Sequence, residues 1–517
     1  MKRRNFITAV AGGLAFRRGG SAAPQPASLQ AARSATTLLL PDLAGAEPLP
    51  ELVLFAFDDH AFPFQNHVQT HLVPSRNGRL VLRSGPEGSH DEFALYYGTT
   101  VRIGNTFHLW YNGNYGPLAN YIGYERENCV ICYATSSDGV NWEKPNLGLV
   151  EFNGSKKNNI VDLHEPALWS TCALIHDPED PNAQRRFKMA YEAGLPKGLG
   201  KICVAFSPDG LRWKPYEGNP VGPMLEMAGI TKHRGMYYLN GQDALIREHH
   251  PAPARRLVTF ASADFERWSP CAALGLDRGP DVTGPSTDDH VNQYEEVHLG
   301  AAMWNRGNVI LGIYGQWHGN FTGDRREVAI DLGLALSYDA IHFHEPVPRF
   351  RIIPAREQRE TPHGIAPALM QGQGMENVGD KTLYWYGTWR AVDRGGVRMC
   401  SWDRDRLGML KPFRPDEPQA ISCPITVAQG RARIYVNASG LGQNSQLRIG
   451  LVDRGFRPIP SFSGSDAAVV AQDGLRTPVA WKGSDVLLPS HGPVRVDIRF
   501  AGVRPEDCRL HAVYVAD

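Results

Sequence analysis

From residue 94 to the C-terminus the chain is written in short runs of four to ten apolar-rich residues, bounded by Gly, Asn and Asp. Valine, isoleucine and aromatic residues between turn formers predict strands. No stretch carries an amphipathic helical period over four turns. Up to residue 412 the runs come in consecutive threes. The first group is Ala94 to Ile103, Phe107 to Tyr111 and Val130 to Thr135. The second is Ser170 to His176, Phe187 to Tyr191 and Ile202 to Phe206. The third is Ala228 to His233, Met236 to Leu239 and Leu257 to Ala261; the fourth is His298 to Trp304, Val309 to Tyr314 and Asp331 to Leu336. The fifth is Gly374 to Val378, Leu383 to Tyr386 and Val397 to Cys400.

Each group ends on one pattern, Ser-x-Asp followed four residues later by a large apolar side chain. The copies are Ser136-Asp138-Trp142, Ser207-Asp209-Trp213, Ser262-Asp264-Trp268, Ser337-Asp339-Phe343 and Ser401-Asp403-Leu407, at intervals of 71, 55, 75 and 64 residues. Ser and Asp side chains bond nearby backbone and fix a tight reversal, and Gly139 and Gly210 permit positive φ. The aromatic packs between neighbouring units, so the motif is read as structural. A supersecondary unit repeated at this spacing predicts an all-β fold, a five-bladed β-propeller. A fourth, outer strand is expected after each motif, for example Leu147 to Phe152 and Phe350 to Pro354. Leu52 to Phe57 is expected to supply the outer strand of the fifth blade and close the ring. Past Pro412 the runs alternate strictly, as in Ala432 to Val436, Gln446 to Val452 and Val494 to Phe500. Turns at Asp453-Arg454-Gly455 and His491-Gly492 separate them, and the pattern predicts a small β-sandwich. The expected division is 1–45 as export signal and linker, 46–415 as propeller and 416–517 as sandwich.

Charge narrows the function. Lys plus Arg equals Asp plus Glu, 54 each, so the formal net charge is zero. A nucleic-acid binder needs a basic excess to neutralise phosphates, and this chain has none. Met1-Lys2-Arg3-Arg4-Asn5-Phe6-Ile7 resembles a twin-arginine export signal, which predicts a periplasmic or extracellular protein. No other stretch approaches the roughly 20 apolar residues of a membrane span. The eight cysteines are scattered; Cys129 and Cys132 form a lone CxxC within a strand, so buried thiols are expected.

A propeller gathers residues at the end where its first strands begin and its second strands return. Before first strands stand Asp91 and Glu92, His164 and Glu165, Glu226, and the cluster from Asp288, Asp289 and His290 to Glu295 and Glu296. After second strands stand Asn114 and Tyr115, Glu192, Gln242 and Asp243, Gln316-Trp317-His318, and Trp389-Arg390. Carboxylates, amides and aromatics converging on one funnel suit a sugar. Glycoside hydrolysis needs two carboxyl groups, one protonated and one ionised, and crowded carboxylates drive their pKa values apart. The expected catalytic residues are Asp91 as base or nucleophile, Glu226 or Glu296 as proton donor, and Glu165 as a tuning or hydroxyl-holding acid. Glu296 and His298 share strand parity and face one side. The expected substrate-binding residues are Glu92, Tyr115, Glu192, Asp243, Asp289, His298, Trp317, His318, Trp389 and Arg390. Glu376 falls inside a first strand, and Asp58-Asp59 follow an apolar strand as turn caps. His290, His298 and His318 lack tight ligand spacing, so no metal and no cofactor is expected.

Gly98 to Gly113, then the run from Tyr133-Ala134-Thr135-Ser136-Ser137-Asp138-Gly139 through Asn141-Trp142-Glu143-Lys144-Pro145 to Phe152-Asn153-Gly154, resembles bacterial proteins similar to the family 32 N-terminal glycosyl hydrolase domain. Ile434-Tyr435-Val436-Asn437-Ala438 and Arg457-Pro458-Ile459-Pro460-Ser461-Phe462 resemble the sandwich that follows the propeller in that group. The resemblance implies the five-bladed superfamily of fructosidases, arabinanases and xylosidases. The fructosidase motifs Asn-Asp-Pro-Asn-Gly, Arg-Asp-Pro and Glu-Cys are absent, so the site residues come from the funnel geometry. The function expected is a secreted glycoside hydrolase acting on an oligo- or polysaccharide. A carbohydrate-binding propeller without catalysis and a sialidase-like enzyme are the alternatives.

Overall fold

The computed structural model describes residues 37–39, 49–118, 126–165, 168–194, 200–245, 254–278, 294–319, 328–355, 366–389 and 395–517. The export motif at residues 2–7, the acids and histidine at 288–290, and Arg390 lie outside the described residues. Among the described residues there is no α-helix; the regular elements are strands and short 3-10 turns. No helix there is long and apolar enough to cross a membrane.

The sheets resolve into five blades. Blade 2 runs from Leu168–His176 through Phe187–Ala193 and Lys201–Ser207 to Arg212–Pro215. Blade 3 is Glu226–His233, Met236–Leu245, Ala254–Ser262 and Ala273–Leu276. Blade 4 is Tyr294–Asn305, Ile310–Gly319, Ala329–Ser337 and Arg351–Ile353. Blade 1 has three strands, Phe93–Ile103, Thr106–Leu118 and Arg126–Ser136. Residues 147–152 form no outer strand, contrary to expectation. Isolated bridges from Thr135 to Glu143 and from Cys132 to Ile160 edge the blade instead. Blade 5 is Leu369–Val378, Lys381–Thr388 and Gly395–Asp403, and its outer strand is Arg76–Leu82.

That last pairing corrects the expected ring closure. The strand Glu51–Phe55 does not join blade 5; it pairs antiparallel with Arg509–Ala516 in the C-terminal sheets. Both of its faces are buried. Leu52 and Leu54 join the core of the C-terminal sheets, while Val53 and Phe55 join the cluster of blades 4 and 5. Two further early strands, Phe64–Asn66 and Val68–Leu72, pair with Gln419–Ile421 and Gly408–Pro412. The predicted alternating runs are there as Arg433–Ser439, Gln446–Asp453 and Val494–Ala501, in two packed sheets.

The Ser-x-Asp turns do what their side chains dictate. Ser136 Oγ accepts from the N–H of Asp138 and Gly139, while Asp138 Oδ1 accepts from Val140 and Asn141. Ser207 and Asp209 repeat the pattern, as do Ser262 and Asp264. The blades are then locked at these turns. The Trp110 indole of blade 1 donates to Gly210 O of the blade 2 turn at 2.7 Å, and Trp385 of blade 5 donates to Gly139 O of blade 1 at 2.8 Å. The left-handed position itself accepts other residues, Phe265 at φ 69 and Ala340 at φ 64. At Gly210 a Cβ would stand 2.7 Å from Trp110, so the clash decides. Gly210→Ala is expected to cost about 1–3 kcal/mol, read from the urea midpoint. An unchanged midpoint would mean that Trp110 yields freely.

The axis is closed beneath the mouth. Every inner strand carries a register irregularity at one level: Leu95 to Thr99, Leu168 to Cys172, Met227 to Gly229, His298 to Ala301, and Gln371 to Met375. Such irregularities expose backbone groups that must find partners. Buried amides supply them. Gln373 reaches from blade 5 to Leu174 O of blade 2 at 3.2 Å and accepts from Ile230 N of blade 3. Gln371 donates to Gly300 O at 3.0 Å, and Asn240 accepts from Ala301 N at 3.0 Å.

Candidate functional site

The inner strands start at one end of the wheel, and the four acids expected there fall into two kinds of environment. Asp91 turns back into its own blade. It is 2% exposed, and its carboxylate accepts from Lys144 Nζ at 2.5 Å and Tyr111 Oη at 2.8 Å. Tyr111 in turn accepts from Asn159 Nδ2 at 2.9 Å, and the same Asn159 amide donates to Tyr133 O. Blade 2 repeats the arrangement: Glu165 accepts from Tyr191 Oη at 3.2 Å, Tyr191 accepts from Asn219, and Asn219 Nδ2 donates to Val204 O. Two blades thus share one buttress, in which an acid before the inner strand is tied through a tyrosine to an outer asparagine. This is a repeat of the fold, and it ties Asp91 and Glu165, both expected to be catalytic, into their own blades.

Burial alone would raise the Asp91 pKa, but the Lys144 ammonium, with help from His90 and Tyr111, holds it below the ordinary carboxylate value. A group depressed in the folded state stabilises fully above its unfolded value of about 4, and the contribution is lost as pH falls through the lower folded value. Asp91→Asn is therefore expected to cost about 1–3 kcal/mol at pH 7, with the difference from wild type shrinking below about pH 4. Chemical denaturation at several pH values measures it; a penalty that grows on acidification would contradict the ion pair.

Glu226 and Glu296 stand differently. Glu226 opens the inner strand of blade 3 and accepts from the Gln242 amide across the register pair Glu226 and Gln242. Gln242 Oε1 accepts from Arg255 Nη1 at 3.0 Å and from Leu299 N of blade 4 at 3.0 Å. Arg255 Nε lies 3.7 Å from Glu296 Oε2, with the side chains 21% and 13% exposed. The Arg255 guanidinium also lies 4.0 Å over the Trp317 ring. Beneath it Trp317, His298 and Trp389 pack together, the His298 ring 5.3 Å from Trp317 and 6.4 Å from Trp389. The result is a half-open polar cluster, Glu226–Gln242–Arg255–Glu296, resting on a buried aromatic floor. Glu296 and His298 do share a face, since the register is regular until after His298.

Several expected sugar-binding residues are placed otherwise. Trp317, Trp389 and His298 are 8%, 4% and 3% exposed, so they form the floor and present no free stacking face. His318 is fully buried, with Nε2 2.9 Å from Asp331, which Arg351 also holds at 3.1 Å. Burial would raise the Asp331 pKa; His318, the Ala355 N–H and Arg351 together lower it. Glu192 is buried, and its Cγ occupies the space a Cβ at Gly200 would need. Glu92 accepts from Gly88 N at 3.0 Å, fastening its own turn. Tyr115 meets Phe152 edge-on at 4.9 Å. Asp243 is exposed and paired with Arg256 at 3.3 Å. Asp289 and Arg390 lie outside the described residues. Glu376 sits inside its inner strand, and burial raises its pKa.

Two partners were missed in the sequence. Arg255 begins a third strand, and third strands also leave from the mouth, so Arg255-Arg256 was a usable signal. Lys144 follows the first Ser-x-Asp motif, and nothing local announces that it reaches Asp91. All eight cysteines are free, and Cys129 and Cys271 are the two not buried.

No protein-family model matches the chain. An uncharacterised protein of Mycobacterium tuberculosis strain CDC 1551 / Oshkosh is 29% identical over 158 residues, 29% of this chain and 46% of that protein. Its counterpart in strain H37Rv is 28% identical over the same length. The matched region thus spans about half the length of these curated relatives. Among solved structures, a glycosyl hydrolase from Bacteroides ovatus is 13% identical, with 68% of this chain and 98% of that one covered and a TM-score of 0.43. A glycoside hydrolase of the GH130 mannoside phosphorylase family, described as targeting beta-1,2 mannosidic linkages in Candida mannan, is 15% identical, with coverages of 68% and 96% and a TM-score of 0.41. The Bombyx mori GH32 beta-fructofuranosidase is 13% identical, with coverages of 86% and 94% and a TM-score of 0.37.

Proposed function

We propose that this chain is a glycoside hydrolase whose catalytic carboxyl pair is Glu226 and Glu296. The observation that carries the reading is the bridge through Gln242 and Arg255, which ties two acids from adjacent inner strands into one half-open cluster at the mouth. One carboxyl protonates the leaving glycosidic oxygen; the other attacks the anomeric carbon or activates the water that does. Arg255 and Gln242 supply fixed donors beside developing charge, which is where such donors count most. The closed axis beneath confines a sugar to the mouth, and Asp243 offers a further exposed carboxylate there. Asp91 is left out of the pair because Lys144 and Tyr111 already occupy its carboxylate. The same proposal includes export by the Arg3-Arg4 leader, which cell fractionation of the full chain tests.

A panel of nitrophenyl glycosides and native oligosaccharides tests the activity. Turnover of at least one glycoside is expected. Tight binding of a sugar with no turnover would favour the carbohydrate-binding propeller, and neither binding nor turnover on a broad panel would overturn both.

A further inference from the structure

We propose a second site, for a divalent d-block cation of the zinc class, at the end of the wheel opposite the mouth. Asp58, His60 and His344 each offer a ligand atom, and these atoms lie within 4.8 Å of one another. The exposed Asp59 adds a fourth donor, with Oδ1 3.9 Å from His344 Nε2 and 4.0 Å from His60 Nε2.

The site is built from two distant parts of the chain. Asp58, Asp59 and His60 follow the strand Glu51–Phe55, which is held in the C-terminal sheets. His344 lies beyond the Ser337-Asp339 turn of blade 4, where it exchanges backbone hydrogen bonds with Leu336. Asp58 is 1% exposed and firmly oriented: the Tyr338 hydroxyl donates to Oδ2, and His60 N–H donates to Oδ1 at 3.0 Å. Carboxylates that bind metals are commonly fixed in this way by a neighbouring donor. His344 Nε2 stands 3.6 Å from the same Oδ1. The His60 and His344 rings stack at 4.3 Å.

Donor chemistry agrees. Two imidazoles with carboxylates suit zinc and its neighbours, whereas calcium and magnesium take all-oxygen shells. Bonds of about 2.0–2.1 Å put the donors of a tetrahedral zinc roughly 3.3 Å apart. The donors stand somewhat wider, three pairs at 3.6 to 4.0 Å and those of Asp58, His60 and His344 all within 4.8 Å. The stacked imidazoles aim their in-plane lone pairs nearly parallel, so sharing one ion takes a contraction and a change of ring orientation. The His60 side chain is 50% exposed and can turn to make both. A cation there would clamp the segment after Glu51–Phe55 to blade 4, so its binding is coupled to the stability of that junction.

The test is zinc titration by calorimetry of the full chain after treatment with a chelator, with melting followed in parallel. About one zinc per chain is expected, together with a rise in Tm that the chelator reverses. His344→Ala and His60→Ala are expected to weaken zinc binding at least about tenfold and to abolish the rise in Tm. His60 is exposed enough that its loss leaves the fold intact, which circular dichroism checks. A wild-type protein that takes up no stoichiometric zinc, or a His60→Ala variant that binds as wild type does, overturns the site.

Discussion

Glu226→Gln and Glu296→Gln will each lower turnover on the best glycoside by about 10²–10⁴-fold with the fold retained, because each removes one half of a proton-transfer pair. The isosteric amide keeps the contact region around Gln242 and Arg255 filled, so the urea midpoint should move little by comparison. A loss in kcat with KM nearly unchanged is the expected signature of groups that act in the transition state. If both variants instead raise KM at constant kcat, the cluster binds the sugar and the chemistry lies elsewhere.

Asp405→Ala will cost the folded state about 3–5 kcal/mol, the usual penalty for removing one partner of a buried ion pair. Asp405 is fully buried where blade 4, blade 5 and the C-terminal sheets meet. Its carboxylate takes Arg306 Nη1 at 2.5 Å and Nη2 at 3.3 Å, Asn377 Nδ2 at 3.0 Å and Tyr514 Oη at 2.8 Å. Burial would raise its pKa, yet the Arg306 guanidinium and these donors lower it. The alanine variant leaves Arg306, 13% exposed, without its counter-charge at this junction. Urea denaturation measures the loss; a change below about 1 kcal/mol would show that solvent or a neighbour replaces the carboxylate.

Four blades were legible because the Ser-x-Asp turn is a local device whose hydrogen bonds close within a few residues. In blade 5 the predicted copy is out of place, since Ser401 and Asp403 lie within the strand Gly395–Asp403 and the left-handed turn residue is Asp405. Ring closure was not legible for a physical reason. Leu52 to Phe57 is apolar at every position because it is buried on both faces, between the C-terminal core and blades 4 and 5. Continuous apolarity says that a strand is buried but not against what. The true closing strand, Arg76–Leu82, carries Arg76, Gly78 and Arg79, an edge-strand composition that hides it. The acids at the mouth were legible as acids. Their orientation was not, since whether Asp91 faces the axis or Tyr111 depends on Lys144, which lies 53 residues on. The contacts of Arg255 were not legible because it opens a third strand, Ala254–Ser262, and it meets Gln242 and Glu296 together only when blades 3 and 4 pack side by side. The zinc-class ligands escaped notice because His344 and His60 come together only in the folded chain.

The measurement that bears most directly on the account is a side-by-side comparison of Asp91→Asn and Glu226→Gln for both turnover and denaturation midpoint at pH 7. The account predicts a crossed result: Asp91→Asn keeps its turnover and loses stability, while Glu226→Gln keeps its stability and loses turnover. Full turnover in Glu226→Gln alongside a dead but stable Asp91→Asn would contradict it.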